Sequence, residues 1–516
     1  MGEVFYITTP IYYVNDMPHI GTAYTTVAAD AIARYQRLKG REVFFLTGTD
    51  EHGQKVAQAA AERNENPQAW ADLMAPHFTD TWKLLDISND DYIRTTQNRH
   101  TRVAQLFIEK LKDRGDVYLG SYEGWYCIHD ESFLLSSQLE GGGCPDCGRP
   151  VDWVKEENYF FRLSKFADRL LAHIEENPEF VQPESRRNEV LSFIRSGLAD
   201  QSISRTSFTW GIPLPFDPRH VMYVWFDALL NYISAIGYGS DTTRFERTWP
   251  ADWHLVGKEI LRFHAVIWPA MLMAAELPLP RRVFAHGWLT VEGQKMSKSL
   301  GNVVAPAELA DEFGVDAYRY YFLREFSFGQ DGNFSRRTML KRYNAELAND
   351  LGNLESRVLT MVHMYREGLV PAPGTPGAEE DRLRKSAAEL AGAVDSKMEL
   401  PAFNETLAAI WDFVRAVNRY VDVSAPWSLA KDPGAAAELD TVLYHSLEGL
   451  RMIALFVSPF MPGAAQAMWE RLGLSGPLTG ARLPDSAAWG LLASGLSTTR
   501  GEALFPRKVE PGADVS

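Results

Sequence analysis

Within its first fifty residues the chain reads strand, helix, strand, and this order confines what it can fold into. Val4-Phe5-Tyr6-Ile7 is a short apolar run, followed by a loop carrying Pro10, Asn15 and Pro18. From Ile20 to Leu38 apolar residues recur at helical spacing (Ala23, Val27, Ala31, Tyr35) until Lys39 and Gly40 end the pattern. Val43-Phe44-Phe45-Leu46 is a second apolar run, with the polar stretch from Thr47 to Gly53 after it. A βαβ unit dictates parallel strands, a right-handed crossover and a ligand site at the strands' carboxyl ends. The loop holding His19 and the loop holding Asp50 are both expected at that edge.

At 516 residues the chain is too long for one core and predicts several domains. The expected fold class is α/β: a Rossmann-type parallel-sheet core, an inserted subdomain with a zinc knuckle, and a C-terminal α-helical bundle. The core is expected in two halves, 1–116 and 201–290, around an insertion over 117–200. That insertion carries Tyr122, Trp125 and Tyr126, all three cysteines, and an amphipathic helix near Leu163–Ile174. The β/α pattern resumes from His220 to Trp225 and again from His254 to Lys258. A loop region over 291–340 leads to the helical segment 341–516. There Leu347, Leu351, Leu354 and Val358 form one apolar stripe and Leu407, Trp411, Val414 and Val421 a second. Leu443, Leu447, Leu450 and Ala454 form a third, and the Pro/Gly-rich stretch 369–377 separates the first helix from the rest.

No apolar run of about 18 residues is free of charge, and the first residues lack the basic start and apolar stretch of a secretory signal. A cytoplasmic protein without a membrane partner is expected. The net charge of −15 argues against nucleic-acid binding through overall charge. Local basic surface is left to Arg336, Arg337, Lys341, Arg342, Arg415 and Arg419, each of which also reads as part of a solvated helix face.

The chemistry concentrates in three places. Lys295-Met296-Ser297-Lys298-Ser299 sets two ammonium groups among small hydroxyls beside the strand-like run from Arg282 to Gly287, a composition suited to gripping a polyphosphate. A Lys-x-x-Lys pair alone is ordinary surface, but Pro18-His19-Ile20-Gly21 gives it a distant partner. A helix N-terminus favours phosphate, Gly21 permits close approach to the backbone, and the His19 imidazole can donate to a phosphate oxygen. A P-loop is excluded because no Gly-x-x-x-x-Gly-Lys-Ser/Thr occurs. Finally, Cys127, Cys144 and Cys147 are an odd set confined to one segment, a poor disulfide framework and a good metal knuckle. Their spacing fits a structural Zn²⁺ with Asp130 as fourth ligand and His129 as its rival, or a metal-free, hydrogen-bonded knuckle.

An early His-x-Gly joined to an intact Lys295–Ser299 pentapeptide resembles the class I aminoacyl-tRNA synthetases. The stretches Thr47–Gly53, Val224–Ala228, Gly257–His264 and Phe284–Trp288 narrow this to a resemblance to bacterial-type methionyl-tRNA synthetase, from residue 4 to residue 470. The resemblance implies ATP-dependent activation of L-methionine to methionyl-adenylate and transfer to the 3′ end of tRNA(Met). His19, Lys295 and Lys298 are then catalytic. Gly21, Thr22, Gly257, Lys258, His286 and Ser297 join them in binding ATP, which Mg²⁺ accompanies. Ile11, Tyr13, Trp225, Ala228, Leu229, Tyr232, Ile260, His264 and Trp268 surround the methionine side chain, and Asp50 lies near its ammonium. Asn353 and Arg357 read base edges of the anticodon while Trp427 stacks on a base. The residue types suit these tasks: a thioether packs well on aromatic faces, and a carboxylate fixes an amino group.

Two positions depart from the family pattern. The first signature normally continues His-x-Gly-His, and Thr22 offers a hydroxyl to a phosphate or ribose oxygen but no charge. Asp130 stands where cysteine or histidine is common. Thr22 keeps open a tRNA-binding paralogue that adenylates slowly. A class I synthetase for cysteine or leucine is disfavoured by Trp225, Tyr232 and His264 and by the lack of a large editing insertion. With the chain ending soon after the bundle, a monomer is expected.

Overall fold

β1 (Phe5–Tyr13), β2 (Val43–Asp50) and β3 (Asp91–Arg94) form one side of a six-stranded, wholly parallel sheet. The order runs β3, β2, β1, then Trp253–Gly257, Val283–His286 and the short edge strand Val181–Gln182. The strand order switches sides between β1 and Trp253–Gly257, which pair in parallel, and at such a switch point the strands' carboxyl ends open a crevice. The computed structural model describes residues 4–128, 132–134, 136–145, 147–296 and 301–509. It falls into two compact units: Met1–Ala29, Glu42–Lys83 and Ile87–Trp288 make the first, and Asp30–Arg41, Leu84–Asp86 and Leu289–Ser516 the second.

Both early strands outrun their apolar cores. β1 continues through Pro10, where its register slips: Thr8 faces Leu46 but Ile11 faces Gly48. Pairing with Trp253–Gly257 has already stopped at Thr8 and His254. Pro10 thus occupies a bulge, where its missing N–H costs no ladder bond. β2 likewise extends through Thr47–Asp50, read above as loop. Gly48 lets β3 lie close, since a Cβ there would sit 2.0 Å from the Ile93 carbonyl oxygen. Between the strands, α1 spans Ile20–Leu38 as its periodicity predicts, with Ala23, Val27 and Ala31 buried.

Residues 117–202 contribute a four-stranded antiparallel sheet, in the order 132–134, 117–127, 152–161, 201–202. The helix expected near Leu163 begins as a 3-10 turn, Leu163–Phe166, and continues as Ala167–Glu176. The strand expected from His220 to Trp225 is divided. Asp217–Met222 is extended, whereas Val224–Leu229 is helical and carries Trp225.

The second unit joins a small sheet (Gln294–Lys295, Leu289–Val291, Gly332–Phe334) to a helical bundle. The three predicted apolar stripes are all buried. The stretch Tyr343–Gly352 is π-helical. Side chains from the helix Phe403–Ser424 reach its carbonyls, Trp411 Nε1 donating to Glu346 O (3.3 Å) and Asn418 Nδ2 to Asp350 O (3.0 Å). No helix among the described residues is long and apolar enough to cross a membrane.

Arg319 is the unit's most completely buried cation. It donates to Asp30 Oδ2 (2.6 Å), Leu85 O (3.0 Å), Pro459 O (3.1 Å) and Phe460 O (2.9 Å). Arg319→Met keeps an unbranched apolar stem but removes the guanidinium, taking the donor from the buried Leu85, Pro459 and Phe460 carbonyls and one cationic partner from Asp30, which keeps Arg34. The expected loss is about 3–5 kcal/mol, read as a lower urea midpoint; an unchanged midpoint contradicts it.

Candidate functional site

α1 opens on a reciprocal cap at the carboxyl end of β1. His19 Nδ1 accepts the Gly21 N–H (3.1 Å), and Thr22 Oγ1 accepts the His19 N–H (3.0 Å) while donating to the His19 carbonyl (2.7 Å). Because Nδ1 accepts, the neutral ring carries its proton on Nε2. Burial lowers the His19 pKa, against the opposing pull of Asp16 and Glu259. Below this turn, Tyr12 Oη donates to the Thr22 carbonyl (3.2 Å) and lies 2.7 Å from Thr26 Oγ1, anchoring the helix start to the sheet.

Gly257 and Lys258 leave the sheet at the end of Trp253–Gly257. Lys258 Nζ lies 4.2 Å from the Trp288 ring centroid, and Trp288 Nε1 donates to Glu259 Oε2 (2.8 Å). A Cβ on Gly257 would meet the Glu259 carboxylate at 2.3 Å, so glycine there lets the acid fold back. His286 ends the next strand with both ring nitrogens engaged. Nδ1 lies 2.8 Å from the Gly287 carbonyl, which can only accept, so Nε2 accepts from Thr25 Oγ1 (2.6 Å).

The predicted methionine residues gather around one aromatic cluster of the first unit. Trp225 stacks on Phe263 (4.0 Å, 12°) and meets Tyr13 edge-on (6.1 Å). Tyr13 is in register with the buried Asp50, and Ile11 precedes it on the bulged half of β1. Ala228 and Leu229 share the Trp225 helix. Tyr232 Oη lies 2.7 Å from His264 Nε2, and His264 Nδ1 donates to the Ile260 carbonyl (2.9 Å). Tyr232 therefore gives its proton to His264. Ile260 ends a 3-10 turn and His264 lies in the π-helical turn Phe263–Ile267, so the i,i+4 relation survives without the regular helix it suggested. Trp268 Nε1 donates to His254 Nε2 (3.2 Å), and His254 Nδ1 faces Thr8 Oγ1 at 2.7 Å. Every imidazole in this wall is thus neutral, with its tautomer fixed by partners. Phe263, His254 and Thr25 are not among the site residues expected from the sequence. The first lies within the quoted stretch Gly257–His264, and the other two carry no local signal.

Cys127 and Cys144 are buried and Cys147 half-buried, their sulfurs all within 4.8 Å of one another. Cys127 Sγ and Cys147 Sγ are 3.6 Å apart. Thiolates at about 2.3 Å from a tetrahedral zinc ion stand about 3.8 Å apart, so the triangle fits Zn²⁺. Leu134, Trp125, Leu139 and Val151 pack around it. His129 and Asp130 lie outside the described residues, as do Ser297 and Lys298, whereas Lys295 is exposed on the strand Gln294–Lys295.

In the second unit Asn353 is the first α-helical residue after the π-helical stretch and is exposed. Arg357, one turn on, is half-buried; it donates to Asp422 Oδ1 (2.7 Å) and Asn418 Oδ1 (3.3 Å). Trp427 follows a left-handed Ala425 in the short helix Pro426–Leu429, and its 39% exposure sets it apart from a core tryptophan.

The buried histidines make stability depend on pH with a definite sign. Burial holds His264 down at about 4 and lowers His254 and His286 as well. Between pH 6.5 and 4 the unfolded chain binds protons that the folded chain refuses, so stability falls as pH falls. Asp227, held at about 2 beside His52 and His100, contributes throughout this window and is lost only below it. From pH 7 to pH 5 the urea midpoint should drop, with roughly 2 kcal/mol due to His264 alone. His264→Asn should flatten the slope; an unaltered slope would refute the assignment.

Comparison with known proteins gives the family. The family model for class I tRNA synthetases (M) matches residues 5–151 and 148–359, and that for the anticodon binding domain of methionyl tRNA ligase matches 370–512. A methionine–tRNA ligase of Caldanaerobacter subterraneus subsp. tengcongensis is 53% identical over 98% of the chain and 79% of its own length. One from Streptomyces coelicolor is 50% identical over 99% of the chain and 98% of its own length. The structure of Mycobacterium tuberculosis methionyl-tRNA synthetase in complex with methionyl-adenylate superposes with a TM-score of 0.94 at 44% identity, covering 98% of this chain and all of that one. Matched nearly end to end in sequence and in fold, the chain belongs to the methionyl-tRNA synthetase family of the class I tRNA synthetases.

Proposed function

We propose that the chain joins methionine to tRNA(Met) in two steps. The methionine carboxylate attacks the α-phosphorus of ATP, forming methionyl-adenylate as the bond to pyrophosphate breaks. A ribose hydroxyl of the tRNA's terminal adenosine then attacks the activated carbonyl, and AMP leaves. The observation carrying this reading is a capped helix N-terminus and an uncharged aromatic cluster at the carboxyl edge of one parallel sheet. The cap leaves the His19 Nε2–H for a phosphate oxygen, and the cluster offers polarizable faces to a thioether.

His19 holds the phosphate through Nε2–H beside Gly21, in the turn whose third residue is Thr22, and Gly257, Lys258 and His286 bind the nucleotide from across the switch point. Lys295 and Lys298, with Ser297 between them, stabilise charge on the leaving pyrophosphate, and Mg²⁺ accompanies the nucleotide. Such catalysis is positioning and electrostatics, without a covalent enzyme intermediate. Asp50 takes the ammonium of methionine, while Ile11, Tyr13, Trp225, Tyr232, Ile260 and Trp268 enclose its side chain beside Ala228, Leu229 and His264. Asn353, Arg357 and Trp427 read the anticodon by base-edge hydrogen bonds and stacking. The working division is a core of 1–116 and 201–290, an insertion over 117–200, a loop region over 291–340 and an anticodon-binding bundle over 341–516. We read the chain as a cytoplasmic monomer with a structural zinc ion on Cys127, Cys144 and Cys147 and a fourth ligand, Asp130 or His129.

Methionine-dependent exchange of labelled pyrophosphate into ATP tests the first step, and no exchange at saturating methionine would sink it. With Thr22 in place of a histidine, more of the phosphate stabilisation falls to the lysines. Lys298→Ala is expected to slow exchange more than His19→Ala does, and the reverse order contradicts this. Metal analysis of native protein should find one zinc per chain, lost in Cys144→Ser with a lower melting temperature; zinc-free native protein would refute the site.

A further inference from the structure

Thr22 stands where the family signature carries a second histidine, and the geometry of its hydroxyl decides what it can do. Both capacities of that hydroxyl are turned back on residue 19: Oγ1 accepts the His19 N–H at 3.0 Å and its proton goes to the His19 carbonyl at 2.7 Å. The Thr22 carbonyl is in turn held from below by Tyr12 Oη (3.2 Å) and Thr26 Oγ1 (3.1 Å). A chain of short polar contacts therefore runs from β1 through Thr22 to the backbone of His19. The Gly21 N–H completes it, fixing the ring through Nδ1 at 3.1 Å.

We propose that Thr22 is a positioning residue for His19 and makes no contact with ATP of its own. Its hydroxyl clamps the peptide units on both sides of the His19 Cα. The imidazole then has one orientation and one tautomer, with Nε2–H left for a phosphate oxygen. The clamp replaces the charge of a second histidine by preorganisation of the first: a donor already in place loses little freedom when the transition state forms. A threonine at the third position of the helix suits this, because its hydroxyl is short enough to fold back on the residue preceding the helix.

This inference rests on the proposed role of His19, and the test separates the two. Thr22→Val removes the hydroxyl at nearly constant shape, and Thr22→Ser keeps it. In methionine-dependent pyrophosphate exchange, Thr22→Val should lower kcat roughly tenfold with KM for methionine held, since misplacing one catalytic group costs rate. Thr22→Ser should stay within about twofold of the parent. In a His19→Ala background, Thr22→Val should cost nothing further, because the group it positions is gone. Additive losses in the double variant would overturn the inference and leave the role of His19 standing, as would Thr22→Ser failing like Thr22→Val. An unchanged rate in His19→Ala alone would overturn both.

Discussion

The pairing of β1 with Trp253–Gly257 is the constraint on which the first unit depends. It joins segments 246 residues apart, and side chains secure it beyond the ladder. The Asp252 carboxylate accepts the Tyr6 N–H (2.9 Å) while the Asp252 N–H donates to the Tyr6 carbonyl (2.8 Å). Two residues on, Thr8 meets His254, whose other nitrogen takes the Trp268 proton. The junction where the strand order switches sides is therefore continuous with the wall of the aromatic cluster. Closure entropy grows only as the logarithm of loop length, so a long intervening segment adds little cost. Residues 117–202 build their own antiparallel sheet inside that connection, and Val181–Gln182 returns from it as an edge strand.

Charge is distributed with equal economy. The aromatic wall keeps His254 and His264 neutral by burial and by committed hydrogen bonds, which suits an uncharged side chain better than a cationic pocket would. In the bundle, much of the expected basic surface is spent internally. Arg336 pairs with Glu308 and Glu312, and Arg342 with Glu325 and Glu346. Arg337, Lys341 and Arg419 are exposed and make no ion pair among the described residues. An acidic chain thereby leaves a few cations exposed without a basic face.

The limits of α1, the three buried stripes of the bundle and the grouping of the cysteines were legible because each follows from local periodicity or spacing. The carboxyl halves of β1 and β2 were not. Pro10 and the run Thr47–Asp50 look like loop, and only a bulge and the close approach of β3 at Gly48 make them strand. Trp225 sits in an apolar run that reads as extended yet begins a helix, because periodicity cannot type a stretch so short. The two π-helical turns left no trace in the sequence. Side chains from a distant helix, Trp411 and Asn418, bond carbonyls of the longer one, and in the shorter the His264 ring folds back onto the Ile260 carbonyl of the preceding 3-10 turn. Likewise nothing in the sequence tells that the Thr22 hydroxyl turns back on residue 19; only the cap shows it.

The π-helical stretch Tyr343–Gly352 also sets a phase. A helix closed by i→i+5 bonds turns less per residue than one closed by i→i+4 bonds. Every residue after Gly352 is therefore rotated about the axis relative to an uninterrupted α-helix. Asn353 and Arg357 share a bearing through their own spacing, and the lag sets where that bearing points relative to the preceding helix. Deleting a single residue within the stretch would leave both side chains and their separation intact, yet swing them together to a different azimuth. Shifts of that kind are invisible to residue-by-residue comparison. In this bundle the length of a segment decides where side chains stand as much as the identity of the residues that follow it.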